Sequence, residues 1–213
     1  MKKGILQETS GMTTRGGTHF VDHDTDMVVA VTDASFSMRF VTGMLGLLEE
    51  GSSERRVLQV GTQELALYRS STFFRWALLL DPFVRLAYAW AAYQQEDAEG
   101  AGLLTYGDFV ASRLEHGAPT PSGGAAHEFL LVRQVDYLTV GKDYEVDALF
   151  RFDAAAEWLP MMQRRFLLPE FNFIYDPPQV PELPRSTRLL VHKAYGEDLE
   201  LFKQIGDAPF LVL

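Results

Sequence analysis

The chain has 213 residues, 47% hydrophobic and 23% charged, with 29 acidic against 19 basic side chains and a formal charge of −10. That length supports one domain, spanning 1–213, with a full core, and that charge repels nucleic acid and anionic lipid surfaces. Zero cysteines exclude disulfides, thiolate metal sites and cysteine nucleophiles together.

No run approaches the roughly 18–20 apolar residues needed to cross a bilayer, so no transmembrane segment is expected. Lys2 and Lys3 have no apolar segment behind them, so no secretory signal is read and a cytoplasmic protein is expected.

Residues 1–20 are rich in Gly, Ser and Thr without period and read as a loose or edge-pairing arm. Val21 to Asp26 is an acidic turn; its Asp22-His23-Asp24-x-Asp26 cluster lacks the glycine and distal glutamate of a calcium loop. Met27–Val31 is a short buried strand. Thr32-Asp33-Ala34-Ser35 then leads into a helix with apolar positions at 36, 40, 44, 47 and 48, ended by Gly51. Residues 57–60 are too short to classify, and 61–70 make a helical turn or connector.

Residues 73–80 are a strand running into an amphipathic helix, with Asp81 as N-cap and Pro82 as first helical residue. Phe83, Leu86, Ala87, Trp90 and Tyr93 form the buried stripe. A short helix near 105–115 lies between Gly/Ala/Pro/Ser-rich loops at 94–102 and 116–126. Residues 147–152 are a strand, and Asp153 caps a helix with apolar positions 154, 158, 161, 162 and 166. The Pro-rich segment 169–184, with the aromatic stretch Phe171–Pro178, reads as a long packed loop, with a cover over the active-site side or a partner surface as the alternatives. A final helix runs over about 187–205, with Tyr195, Leu199, Phe202 and Ile205 on one stripe. Strands alternating with helices in this way predict a three-layer α/β sandwich with a mainly parallel central sheet.

Four blocks carry a resemblance: Asp24–Ser37; Phe73–Trp90; His127-x(6)-Gln134-x-Asp136-Tyr137-Leu138 with Arg151-Phe152-Asp153; and Tyr195-Gly196-Glu197-Asp198-Leu199-Glu200-Leu201-Phe202. In order and spacing they resemble the carbohydrate-type sulfotransferases, whose P-loop-like fold the resemblance implies. It implies 3′-phosphoadenosine 5′-phosphosulfate as sulfuryl donor and a hydroxyl acceptor, a small molecule or carbohydrate. Ser35, Ser37, Arg39, Arg85 and Tyr88 are the cofactor-binding candidates, and His127 is the candidate general base.

The pattern is degenerate. Asp33 stands where the family's loop lysine falls, Leu80 where its 3′-phosphate arginine falls, and Tyr88 where its serine falls. A carboxylate about 4 Å from a phosphate is repulsive by roughly 4 kcal/mol at an effective dielectric near 20. Asp33 also reads simply as a helix N-cap, Arg39 and Arg75 as surface or salt-bridging residues, and Arg85 as either a structural partner or an anion contact.

Three readings follow. One is an active sulfotransferase; another is an inactive homologue binding a protein or small molecule; the third is an enzyme using a less charged donor. No Gly-x-Gly-x-x-Gly, Walker-type Gly-x(4)-Gly-Lys-Ser/Thr or Gly-x-Ser-x-Gly motif is present.

Overall fold

The computed structural model describes residues 18–31, 57–69, 72–96, 104–120, 126–168, 170 and 175–213. Its centre is a six-stranded sheet of β1 (Thr18–Asp22), β2 (Met27–Ala30), β3 (Val57–Gly61), β4 (Phe74–Leu79), β7 (Ala148–Arg151) and β8 (Phe210–Val212). Their order is β3-β1-β2-β4-β7-β8, and a small hairpin of β5 (Thr139–Val140) and β6 (Asp143–Tyr144) stands apart.

The middle of the sheet is parallel. β2 pairs with β4 (Met27↔Phe74, Ala30↔Ala77), and β4 pairs with β7 (Trp76↔Ala148, Leu79↔Arg151). β2 is buried throughout and β4 from its second residue onward, as expected for strands covered on both faces.

The mainly parallel expectation needs correction at the flanks, because β1–β2, β1–β3 and β7–β8 are antiparallel. β1 and β2 form a tight hairpin, which can only be antiparallel. Its turn is stitched by the buried Asp22 carboxylate, which accepts from the Asp24 N–H at 3.0 Å and the Thr25 hydroxyl at 2.8 Å. The arm assigned to residues 1–20 also ends early, since Thr18–Phe20 lie in β1 with strands on both sides.

Eight helices are described: α1 (Thr62–Leu65), α2 (Pro82–Glu96), α3 (Tyr106–Leu114), α4 (Ala126–Leu131), α5 (Val135–Leu138), α6 (Ala155–Phe166), α7 (Arg185–Ala194) and α8 (Gly196–Ile205). Strand alternation divides the core. Met27, Val29, Trp76, Leu78 and Phe150 face α6 through Trp158, Leu159 and Met162. Val28, Ala30, Ala77, Leu79 and Leu149 face Leu65, Val135, Leu138, Leu201 and Ile205. These are the three layers, and each strand supplies both faces because its side chains alternate.

A third cluster, built from Leu86, Tyr93, Phe109, Leu130, Val191 and Tyr195, ties α2, α3, α4 and α7 together.

The single terminal helix is two helices. Tyr195 leaves helical geometry (φ −117, ψ 27) and is buried, its hydroxyl donating to the Leu131 carbonyl at 2.5 Å. Holding that ring inside breaks the helix between Ala194 and Gly196. At the amino end of the sheet Arg75, expected at the surface or in a salt bridge, is buried. It pairs with Asp147 (Nη2–Oδ1 2.5 Å) beside the fully buried Glu145, which also binds Arg69. No described helix is long and apolar enough to cross a membrane.

Candidate functional site

The carboxyl ends of parallel strands, where helices begin, are where an open α/β sheet presents backbone N–H groups to a ligand. Here those ends belong to the adjacent strands β2, β4 and β7. The segment after β2, with Asp33, Ser35, Ser37 and Arg39, lies outside the described residues.

β4 ends at Leu80. Its N–H donates to Gln134 Oε1 at 2.9 Å and its carbonyl accepts from Gln134 Nε2 at 2.8 Å. The Leu80 side chain is 3% exposed and sits in the sheet core with Val31 and Phe152. Gln134 is fixed in turn by Asp198 of α8, whose two carboxylate oxygens accept the Gln134 and Val135 N–H groups at 2.8 and 3.0 Å. Burial raises the Asp198 carboxyl, and the nearby Arg85 guanidinium and the two N–H groups oppose that rise.

Asp81 caps α2 as expected. Its Oδ1 accepts from the Phe83 and Val84 N–H groups at 2.8 and 3.2 Å, and its carbonyl accepts from the Arg85 N–H.

Arg151, Asp153 and Tyr88 at this edge are paired. Arg151 binds Asp153 through Nε–Oδ1 at 2.9 Å and Nη2–Oδ2 at 2.5 Å, and donates to the Gly206 carbonyl. Asp153 is thus an ion-pair partner just ahead of α6, inside a 3-10 turn, rather than the N-cap. The Tyr88 hydroxyl donates to the Asp176 carbonyl at 3.4 Å, tying α2 to the Pro-rich segment. Tyr175 packs edge-on against Phe152 at 5.7 Å. Burial pushes its phenol up, reinforced by Tyr88, Asp153 and Asp81.

Two sequence candidates lie elsewhere. Arg85 is 1% exposed and its guanidinium points into the helical cluster, donating to the Val132 carbonyl and, at 2.9 Å, to the Phe129 carbonyl. This is the structural alternative, in which the cation closes the C-terminal carbonyls of α4.

His127 is correspondingly displaced. Its Nδ1 lies 2.5 Å from Glu96 Oε2, and its ring is edge-on to Tyr93 at 5.3 Å. Tyr93 is eleven residues beyond Pro82, about 16 Å along the axis of α2 at 1.5 Å per residue. A histidine at that end does not reach an acceptor held at the β4–α2 junction.

Gln134 and Asp198 are the organising residues that sequence reasoning gave no role. Both fall inside the resemblance blocks, but a polar side chain that holds another segment's backbone has no local signature. Taken together, the fold and the junction define an α/β sandwich with a mixed open sheet whose described carboxyl edge carries carboxylates and tyrosines. No family model, curated protein or solved structure matches the chain.

Proposed function

We propose that the chain is a sulfotransferase-type, P-loop-like scaffold that has lost the phosphoadenosine donor site and serves as a binding protein. The observation carrying this reading is the state of the cations at the described edge. Leu80 replaces one and is buried in the core; Arg85 is spent on two carbonyls, and Arg151 on Asp153 and Gly206. A ligand with several negative charges needs fixed cations as well as a helix N-terminus. The acidic side chains Asp81 and Asp153 stand there instead. Adjacent parallel β2 and β4 support the scaffold half of the reading, because the donor of such enzymes is held between two neighbouring strand-to-helix junctions.

Titration with 3′,5′-adenosine bisphosphate, followed by calorimetry and thermal shift, tests it. The expected result is no heat and no stabilisation at millimolar ligand. Micromolar affinity would instead stabilise the fold by about 2.7 kcal/mol at one hundred times the dissociation constant. That outcome would return the active transferase, with its hydroxyl or carbohydrate acceptor, to first place.

A further inference from the structure

From the exposed face of α7 we infer a docking surface for a short acidic protein segment carrying an apolar residue. Arg185, Leu189 and Lys193 follow one another at intervals of four and form one ridge; Arg188 and His192 form the next ridge beside it. All five are exposed, Leu189 to 62%, while Thr187, Val191 and Ala194 face the interior. The ridge is about 12 Å long at 1.5 Å per residue, the reach of a few extended residues or two helical turns. His192 stands edge-on to Phe83 at 5.8 Å, so the surface runs on to the first turn of α2.

The cations of this face are uncommitted. Among the described residues Arg185, Arg188 and Lys193 enter no ion pair, although acidic side chains follow directly in α8. Glu197 pairs with Arg133 and Glu200 with Lys203 instead. Arg185 is moreover the first residue of α7, at the positive end of the helix dipole, where a cation weakens the helix. A partner's carboxylates would relieve that repulsion.

The rest of the molecule selects the partner class. A membrane or a nucleic acid extends its negative charge over the whole chain, which carries −10. A short segment brings its charges only within about 8 Å of α7, the screening length at physiological salt. Leu189 at the centre of the ridge gives such a segment an apolar anchor. This inference stands whether or not the strand-to-helix junction takes nucleotide.

The test is fluorescence anisotropy with a labelled peptide of glutamate and leucine at about 0.1 M salt. Wild-type protein should bind, and R185E/R188E should lose at least about tenfold in affinity. R185E alone should bind less tightly yet melt at a higher temperature, a pairing that loss of folding would not produce. Absent binding to wild type, equal binding by the reversed variant, or tighter α7-dependent binding of phosphatidylserine vesicles or single-stranded DNA would each overturn the assignment.

Discussion

His19 is the residue on which the β2 junction turns. The Val31 N–H donates to its Nδ1 at 3.0 Å, so Nδ1 carries no proton and Nε2 donates to Thr62 Oγ1 at 2.8 Å. The ring is fully buried, and burial lowers its pKa from 6.5 to about 3. Between those values the unfolded chain binds a proton that the folded chain refuses, so stability falls as pH falls through this window. The slope from this residue alone approaches 1.4 kcal/mol per pH unit. Urea denaturation of wild type and His19→Gln between pH 7 and pH 4 should give a clearly shallower slope for the variant. Equal slopes would mean that the ring takes its proton without unfolding. The same accounting of donors and acceptors turns both side chains away from the site: Arg85 finds the Val132 and Phe129 carbonyls at the end of α4, and His127 finds Glu96 at the far end of α2. Only the folded chain shows which partners a polar side chain has found.

Among the elements, α6 works against its own sequence. It contains Pro160 at its sixth residue, which removes the bond to the Ala156 carbonyl. The site is exposed, so water takes that carbonyl, and the helix is held by Trp158, Leu159 and Met162 in the core. Replacing a helix-interior proline gains about 3 kcal/mol, less about 1 kcal/mol from the looser unfolded chain. Pro160→Ala is therefore expected to stabilise by about 2 kcal/mol, raising the melting temperature by roughly 4–8 °C; an unchanged midpoint would mean that the helix relaxes locally around the proline. Apolar periodicity made β2, β4, α2, α3 and α6 legible, because each buries a regular stripe. It failed where tertiary partners decide: β3 pairs with only one other described strand, β8 is three residues long, and the α7–α8 break depends on where the Tyr195 hydroxyl finds a carbonyl. The site was legible as a strand-to-helix junction at Asp81. Its chemistry was not, because Gln134 and Asp198 act from distant segments.

At the scale of the whole molecule, charge and sheet edges act together. The net charge of −10 keeps copies apart at neutral pH, and it vanishes near the isoelectric point of about 4.9. That pH also lies within the window in which His19 withdraws stability. The outer edge of β8 pairs with no other described strand, and its end is apolar: Val212 is 66% exposed and Leu213 47%. An edge strand without an inserted charge is a template for another chain, and lysine on the strand is a common protection. Light scattering near pH 5 should accordingly rise for wild type and fall for Val212→Lys, whose side chain already points to solvent. Leu167→Lys is the control. Leu167 is 87% exposed but caps the end of α6 and belongs to no described strand, so it adds the same charge without guarding β8. Protection by Val212→Lys alone assigns acid association to the β8 edge; equal protection by both would reduce the effect to net charge and remove the edge from the explanation.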